Sequence, residues 1–113
     1  MNRPSGQSFQ RSDLFGGTGM VTIWNILNTV QQPFSAALWC ELEAGGFVGP
    51  HLQQRDPEMV ICLSGEGTAT VNKIPHELRA GTLVGLPLGA VLSIRNDGAE
   101  PLTYLIIKAK VDS

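Results

Sequence analysis

Residues 45–65 read GGFVGPHLQQRDPEMVICLSG, a run that begins and ends on glycine and carries His51, Gln53 and Glu58 between. In an extended strand, residues two apart share a face. His51 and Gln53 are therefore expected to aim into one cavity. Asp56-Pro57 interrupts the strand, because proline donates no hydrogen bond and restricts the residue before it. Glu58 then opens a second strand, EMVICL, and is expected to face the same cavity from the adjacent position. An imidazole, an amide oxygen and a carboxylate brought together in this way make three sides of a divalent-metal site.

Outward from this stretch the chain reads as β structure throughout. Thirteen glycines and seven prolines in 113 residues punctuate it with turns at close spacing, the pattern of an all-β domain with short strands. Residues 20–27 (MVTIWNIL) are rich in strand formers. Residues 35–43 alternate, with Leu38, Cys40 and Leu42 on one face and Ala37, Trp39 and Glu41 on the other. Beyond residue 63, Gly65-Glu66-Gly67 reads as a hairpin turn, residues 68–72 as a strand and residues 73–76 as a connection. Residues 83–86 and 91–95 are further strands around Pro87-Leu88-Gly89. Asn96-Asp97-Gly98 is another hairpin signal, and residues 102–110 (LTYLIIKAK) are the last long strand. The apolar residues on both faces of that strand imply that both faces are covered, one of them by a partner subunit. No stretch has a convincing helical period. Residues 1–18 are polar and glycine-rich and are expected to form a flexible arm, with an edge strand or an arm swapped onto a second subunit as the alternative. Residues 19–113 then form a single domain.

Composition excludes several classes of function. A net charge of −2, with no Lys/Arg cluster, argues against nucleic acid and against anionic membranes. The first residues, MNRPSGQSFQRSD, lack the apolar core of a signal peptide. The longest apolar run, residues 83–94, is too short to span a bilayer. A cytoplasmic enzyme or binding protein is the default expectation. Cys40 and Cys62 lack a C-x-x-C spacing and are expected as buried free thiols.

The glycines, the His-x-Gln pair and the glutamate carry a family resemblance. The chain resembles the cupin family, whose first motif is G-x5-H-x-H-x3-4-E-x6-G and whose second is G-x5-P-x-G-x2-H-x3-N. Gly45, His51, Glu58 and Gly65 meet the first, with Gln53 where its second histidine belongs. Gly81, Pro87, Gly89 and Asn96 meet the second, with Leu92 in place of its histidine. The resemblance implies a jelly-roll β-barrel, or double-stranded β-helix, often paired as a homodimer. It also implies a metal held by three ligands from the first motif and one from the second. Both departures fall on metal ligands.

With those departures the expected metal ligands are His51, Gln53 and Glu58. One nitrogen and two oxygens lean toward a hard ion such as Mn²⁺ or Fe²⁺, weakly held, with Ni²⁺ and Zn²⁺ also candidates. Leu92 has no lone pair and is expected on the cavity floor, with Val60, Trp39, Phe47 and Tyr104 as walls. His76 is too remote to replace the missing ligand. The Cys62 thiol, about 13 Å along the strand from Glu58, is expected in the core. Two functions follow. One is a metal-dependent enzyme on a small organic molecule. The other is a metal-free module that holds a small ligand by hydrogen bonds from His51, Gln53 and Glu58.

Overall fold

Period-two alternation, with turns rich in glycine, asparagine and proline between the runs, builds strands along the whole chain. A computed structural model describes residues 2–110 apart from 28, 30 and 54. Among the described residues, ten strands and one 3-10 turn (Leu14–Gly16) follow one another. In order they are β1 (Phe9–Ser12), β2 (Met20–Asn25), β3 (Phe34–Leu42), β4 (Phe47–Leu52) and β5 (Glu58–Ser64). β6 (Gly67–Val71), β7 (Ile74–Leu78), β8 (Leu83–Leu86), β9 (Val91–Asn96) and β10 (Leu102–Ala109) complete the set. One sheet runs β1-β2-β3-β10-β5-β8 and the other β4-β9-β6-β7, and every described pair of strands is antiparallel. Sequence neighbours repeatedly fall in different sheets. This crossing pattern, with two sheets facing across one core, is a jelly-roll barrel.

Alternate residues of each strand fill the space between the sheets. On β5, Glu58, Val60 and Cys62 point inward; on β9, Leu92, Ile94 and Asn96 do. Leu42, Val60, Cys62 and Leu102 are fully buried there. Cys40 and Cys62 are buried free thiols, as expected. Burial pushes the Cys40 thiol up to about 12, with the nearby Glu58 carboxyl adding to the shift, so it stays protonated and behaves as a small apolar residue.

The crossings correct three local expectations. Gly65 and Gly67 do not close a hairpin, because β5 pairs with β10 and β8 while β6 pairs with β9 and β7. They carry the chain from one sheet to the other instead. A Cβ on Gly65 would lie 2.7 Å from the Pro101 carbonyl oxygen, and the backbone there takes φ +91°, so only glycine fits. The hairpin lies one strand later. Asn72 and Lys73 both take positive φ, 50° and 69°, as a primed two-residue turn requires, and residues 73–76, expected as a connection, run into β7. Asn96-Asp97-Gly98 also changes sheets. There Asn96 Nδ2 donates to the carbonyls of Leu42, Glu43 and Glu100 at 2.9–3.1 Å, while its Oδ1 accepts from Gly98 N–H at 2.9 Å.

Residues 9–12, expected within a flexible arm, form the edge strand that was the alternative, paired with β2 from Phe9↔Ile23 to Ser12↔Met20. The turn after it closes on Asp13, whose N–H donates to the Gly19 carbonyl and whose Oδ1 accepts from Gly19 N–H.

Candidate ligand-binding site

The barrel encloses one large cavity of about 640 Å³, within the usual range for small-molecule pockets. Its floor is apolar and buried: Val21, Ile23, Val48, Leu92 and Ile94, with Cys40 and Tyr104 beside them. Two polar side chains interrupt this floor, Gln53 and Glu58, each 5% exposed.

A β-bulge sets the polar face of the cavity. β4 pairs with β9 through Val48↔Ile94 and then His51↔Leu92, so two residues on β4, Gly49 and Pro50, oppose one on β9, Ser93. Without that slip Val48 and His51, an odd number of residues apart, would face opposite sides. The bulge at Gly49-Pro50 turns both inward. Glycine and proline are the residues that a bulge in an edge strand tolerates, and β4 is an edge of its sheet. Gly49 also admits the backbone of the 3-10 turn: a Cβ there would lie 2.0 Å from the Phe15 carbonyl oxygen. Phe15 itself takes φ 53°, an unfavourable region for a bulky side chain. That conformation places its ring over His51, with centroids 4.0 Å apart and planes 12° from parallel.

The loop that carries the second motif locks Gln53. Gln53 N–H donates to the Ala90 carbonyl and Gly89 N–H donates to the Gln53 carbonyl, both at 2.8 Å. Gly89 takes φ +88° to make this contact. The side-chain Nε2 of Gln53 and the Oε2 of Glu58 are both buried and neither meets a protein partner in good hydrogen-bond geometry, although the Gln53 amide lies near enough to Glu58 to favour its ionised form. A buried orphan of this kind costs about 1–3 kcal/mol, which points to a bound partner or to water at these atoms. Burial pushes the Glu58 carboxyl up; the Lys108 cation and the Gln53 amide oppose this, and Asp56 adds to it. Lys108 is the direct cross-strand neighbour of Glu58. Burial lowers the His51 imidazole, partly offset by Nδ1 contacting the Gly49 carbonyl at 3.0 Å, and Lys108 lowers it further.

His51, Gln53 and Glu58 thus line one cavity, together with Leu92 and Tyr104. Trp39, Phe47 and Val60, expected as walls, lie elsewhere. Trp39 is offset by one residue from Cys40 and so faces outward. There it pairs with Trp24 across the strands, and its Nε1 donates to Glu41 at 3.1 Å. Glu41 in turn holds Arg3, whose guanidinium lies 5.4 Å over the Trp24 ring. Phe47 lies before the bulge, opposite Arg95, with its backbone paired to Thr18. Val60 points inward and is fully buried in the core. His76, on β7, is exposed and paired with Ala69 far from the site.

The donor set does not fit a tightly held divalent ion. Among the described residues, no three His, Cys, Asp or Glu side chains are gathered to hold a metal, so a site here would need the neutral amide oxygen of Gln53 as its third ligand. The position facing His51 across the strands is Leu92, which has no lone pair. Lys108 sets a positive charge opposite Glu58, the carboxylate of the expected ligand set.

The sequence reading missed several walls. Ile106 and Lys108 line the cavity in step with Tyr104 on β10, and period two along that strand would have found them. Phe9, Arg11, Leu14 and Phe15 reach it from the N-terminal segment. No local signal announces that contact, since it depends on where β1 docks.

Comparison with known proteins agrees with this architecture. The cupin domain model of the Cupin_2 family matches residues 38–108. A predicted oxalate decarboxylase from Thermotoga maritima superposes with a TM-score of 0.83 at 23% identity, covering 92% of each chain. The cupin domain of Schizosaccharomyces pombe Cnp3 gives 0.77 at 19% identity, over 96% of this chain and 71% of that one. A sugar phosphate isomerase of the cupin superfamily from Silicibacter pomeroyi gives 0.70 at 18% identity, over 80% and 60%. At these identities the likeness is one of fold. The curated proteins contain no match to this sequence. The match over residues 38–108, which spans both glycine-framed motifs and the barrel strands between them, places the chain in the cupin family.

Proposed function

We propose that this cupin is a metal-independent binding module for a small organic molecule with a substantial apolar part. The observation that carries the reading is the pair of buried, unpartnered atoms, Gln53 Nε2 and Glu58 Oε2, set in an otherwise apolar floor. Such atoms suit a ligand that supplies the missing hydrogen bonds and displaces water from the walls. The energetics divide the work. Each ligand methylene buried contributes about 0.8 kcal/mol, and each neutral hydrogen bond about 1 kcal/mol. The apolar body therefore carries most of the affinity, while Gln53 and Glu58 orient it. The predicted oxalate decarboxylase and the sugar phosphate isomerase named above share the barrel, but fold alone does not transfer a reaction. The substrate class here rests on this chain's own lining.

Elemental analysis after incubation with Mn²⁺, Fe²⁺, Ni²⁺ and Zn²⁺, followed by desalting, tests the metal-independent part. Substoichiometric metal is the expected result. One equivalent held by the wild type and lost in His51→Ala would overturn it and restore the metal-dependent reading. A thermal-shift screen with small organic molecules tests the binding part, because any ligand that prefers the folded state raises Tm.

A further inference from the structure

The charges around the cavity mouth narrow the ligand further, given the binding function proposed above. Of the chain's eight Lys and Arg residues, Arg3, Arg79 and Arg95 are ion-paired with Glu41, Glu77 and Asp97. Arg11, Arg55 and Lys108 all line the cavity, and none of them forms an ion pair among the described residues. They come from three separate places: edge strand β1, the loop before β5, and the end of β10. Two carboxylates border the same cavity. Asp56 already accepts from Ser35 Oγ at 2.7 Å, and Glu58 is buried. The cavity lining thus sets three cationic side chains against two carboxylates, an excess of positive charge on a chain whose net charge is −2. The unpartnered polar atom on the Gln53 side chain is also a donor. Arg11 Nη1 donates to the Gln10 carbonyl at 2.9 Å with its guanidinium 4.7 Å over the Phe9 ring, and Lys108 stands opposite Glu58, which leaves Arg55 and the remaining N–H groups of Arg11 and Lys108 to meet a ligand above the apolar floor.

We infer that the ligand is an amphipathic organic oxyanion, its carboxylate or phosphate head held among Arg11, Arg55, Lys108 and Gln53 and its apolar body on the floor around Leu92. Guanidinium forks suit either head, because both present paired oxygens. The arginines are exposed, so their attraction is screened by salt.

Calorimetric titration with octanoate, octyl phosphate and octanol, three ligands with one tail, separates head from body. Wild type and the double variant Arg11→Gln/Arg55→Gln are compared at low and high salt, with Tm verifying that the variant is folded. The expected result is that one anion, or both, binds about tenfold or more tighter than octanol, the margin of a charge-assisted over a neutral hydrogen bond. That margin should shrink in high salt and disappear in the double variant, and the tighter anion identifies the head. If octanol binds as well as both anions, and the double variant behaves like wild type, the head-group assignment falls while the cavity reading stands. If none of the three binds, both fall.

Discussion

At the scale of single residues, three positions make predictions, and the first of them, Leu92, is one of the two departures from the family motifs. Leu92 faces His51 directly across β4 and β9. Leu92→His should therefore place a second imidazole beside the first and raise Ni²⁺ or Zn²⁺ affinity by about tenfold or more, read by metal titration of the folded variant. Unchanged affinity would show that these two positions do not share a face. Glu58 makes a pH prediction. Its carboxyl holds a proton more tightly in the folded chain than its ordinary value of 4.5 allows, chiefly through burial. The folded state therefore binds more protons than the unfolded one, and stability is lost as pH rises past 4.5 and through the raised folded value. Glu58→Gln removes that loss. Its Tm should exceed that of wild type near neutral pH, and the two should converge in acid, where the carboxyl is protonated in both states. Equal Tm values at every pH would mean that the carboxylate is solvated. Asn96 makes the third. Its amide donates to three carbonyls from two separate segments. Asn96→Asp leaves these acceptors unmatched and adds a buried charge, so urea denaturation should show a loss of about 3 kcal/mol or more. A loss below about 1 kcal/mol would mean that water replaces the amide.

At the scale of elements, the N-terminal strand and turn are the piece most separable from the barrel. They dock where backbone meets backbone without side chains between. A Cβ on Gly17 would lie 1.8 Å from the Phe47 carbonyl oxygen, and one on Gly49 would lie 2.0 Å from that of Phe15. Gly49→Ala should therefore push the turn off β4, unstack Phe15 from His51 and cost about 2 kcal/mol. Limited trypsin digestion reads the displacement directly: Arg11, slow to cleave in the paired strand, should become a fast site. If cleavage at Arg11 stays slow in the variant, β1 is held by its pairing with β2 alone.

At the scale of the whole molecule, the two faces of the six-stranded sheet do different jobs. The inner face carries the core and the cavity. On the outer face, Trp24, Trp39, Leu105, Ile61 and Leu83 lie in one row across five paired strands, and Leu83 is 56% exposed. Trp24 and Trp39 are already buried, at 8% and 4% exposed, so the accessible part of the row, toward Leu83, is the surface a two-fold self-association would use. The homodimer expected from the apolar outer side of β10 should appear in sedimentation analysis, and Ile61→Lys should shift it to monomer. A monomer at every concentration would leave that face without a partner.

Local rules made the strand runs, the inward faces of β5 and β9, the buried thiols and the convergence of His51, Gln53 and Glu58 readable from sequence, because period two and the glycine-framed spacing act within a few residues. The closing of the barrel was not readable in the same way. Which glycine pair turns a hairpin and which crosses between sheets depends on the strand partner, and partners are chosen across the whole chain. The bulge at Gly49-Pro50, the outward turn of Trp39 and the docking of Arg11 and Phe15 over the cavity follow from those pairings. From sequence alone His51, Gln53 and Glu58 are expected to face one cavity as a polar patch, and all three line it. Tertiary structure decided what surrounds that patch, an apolar floor and an excess of cationic side chains, because walls brought together from distant strands leave no periodic trace in the chain.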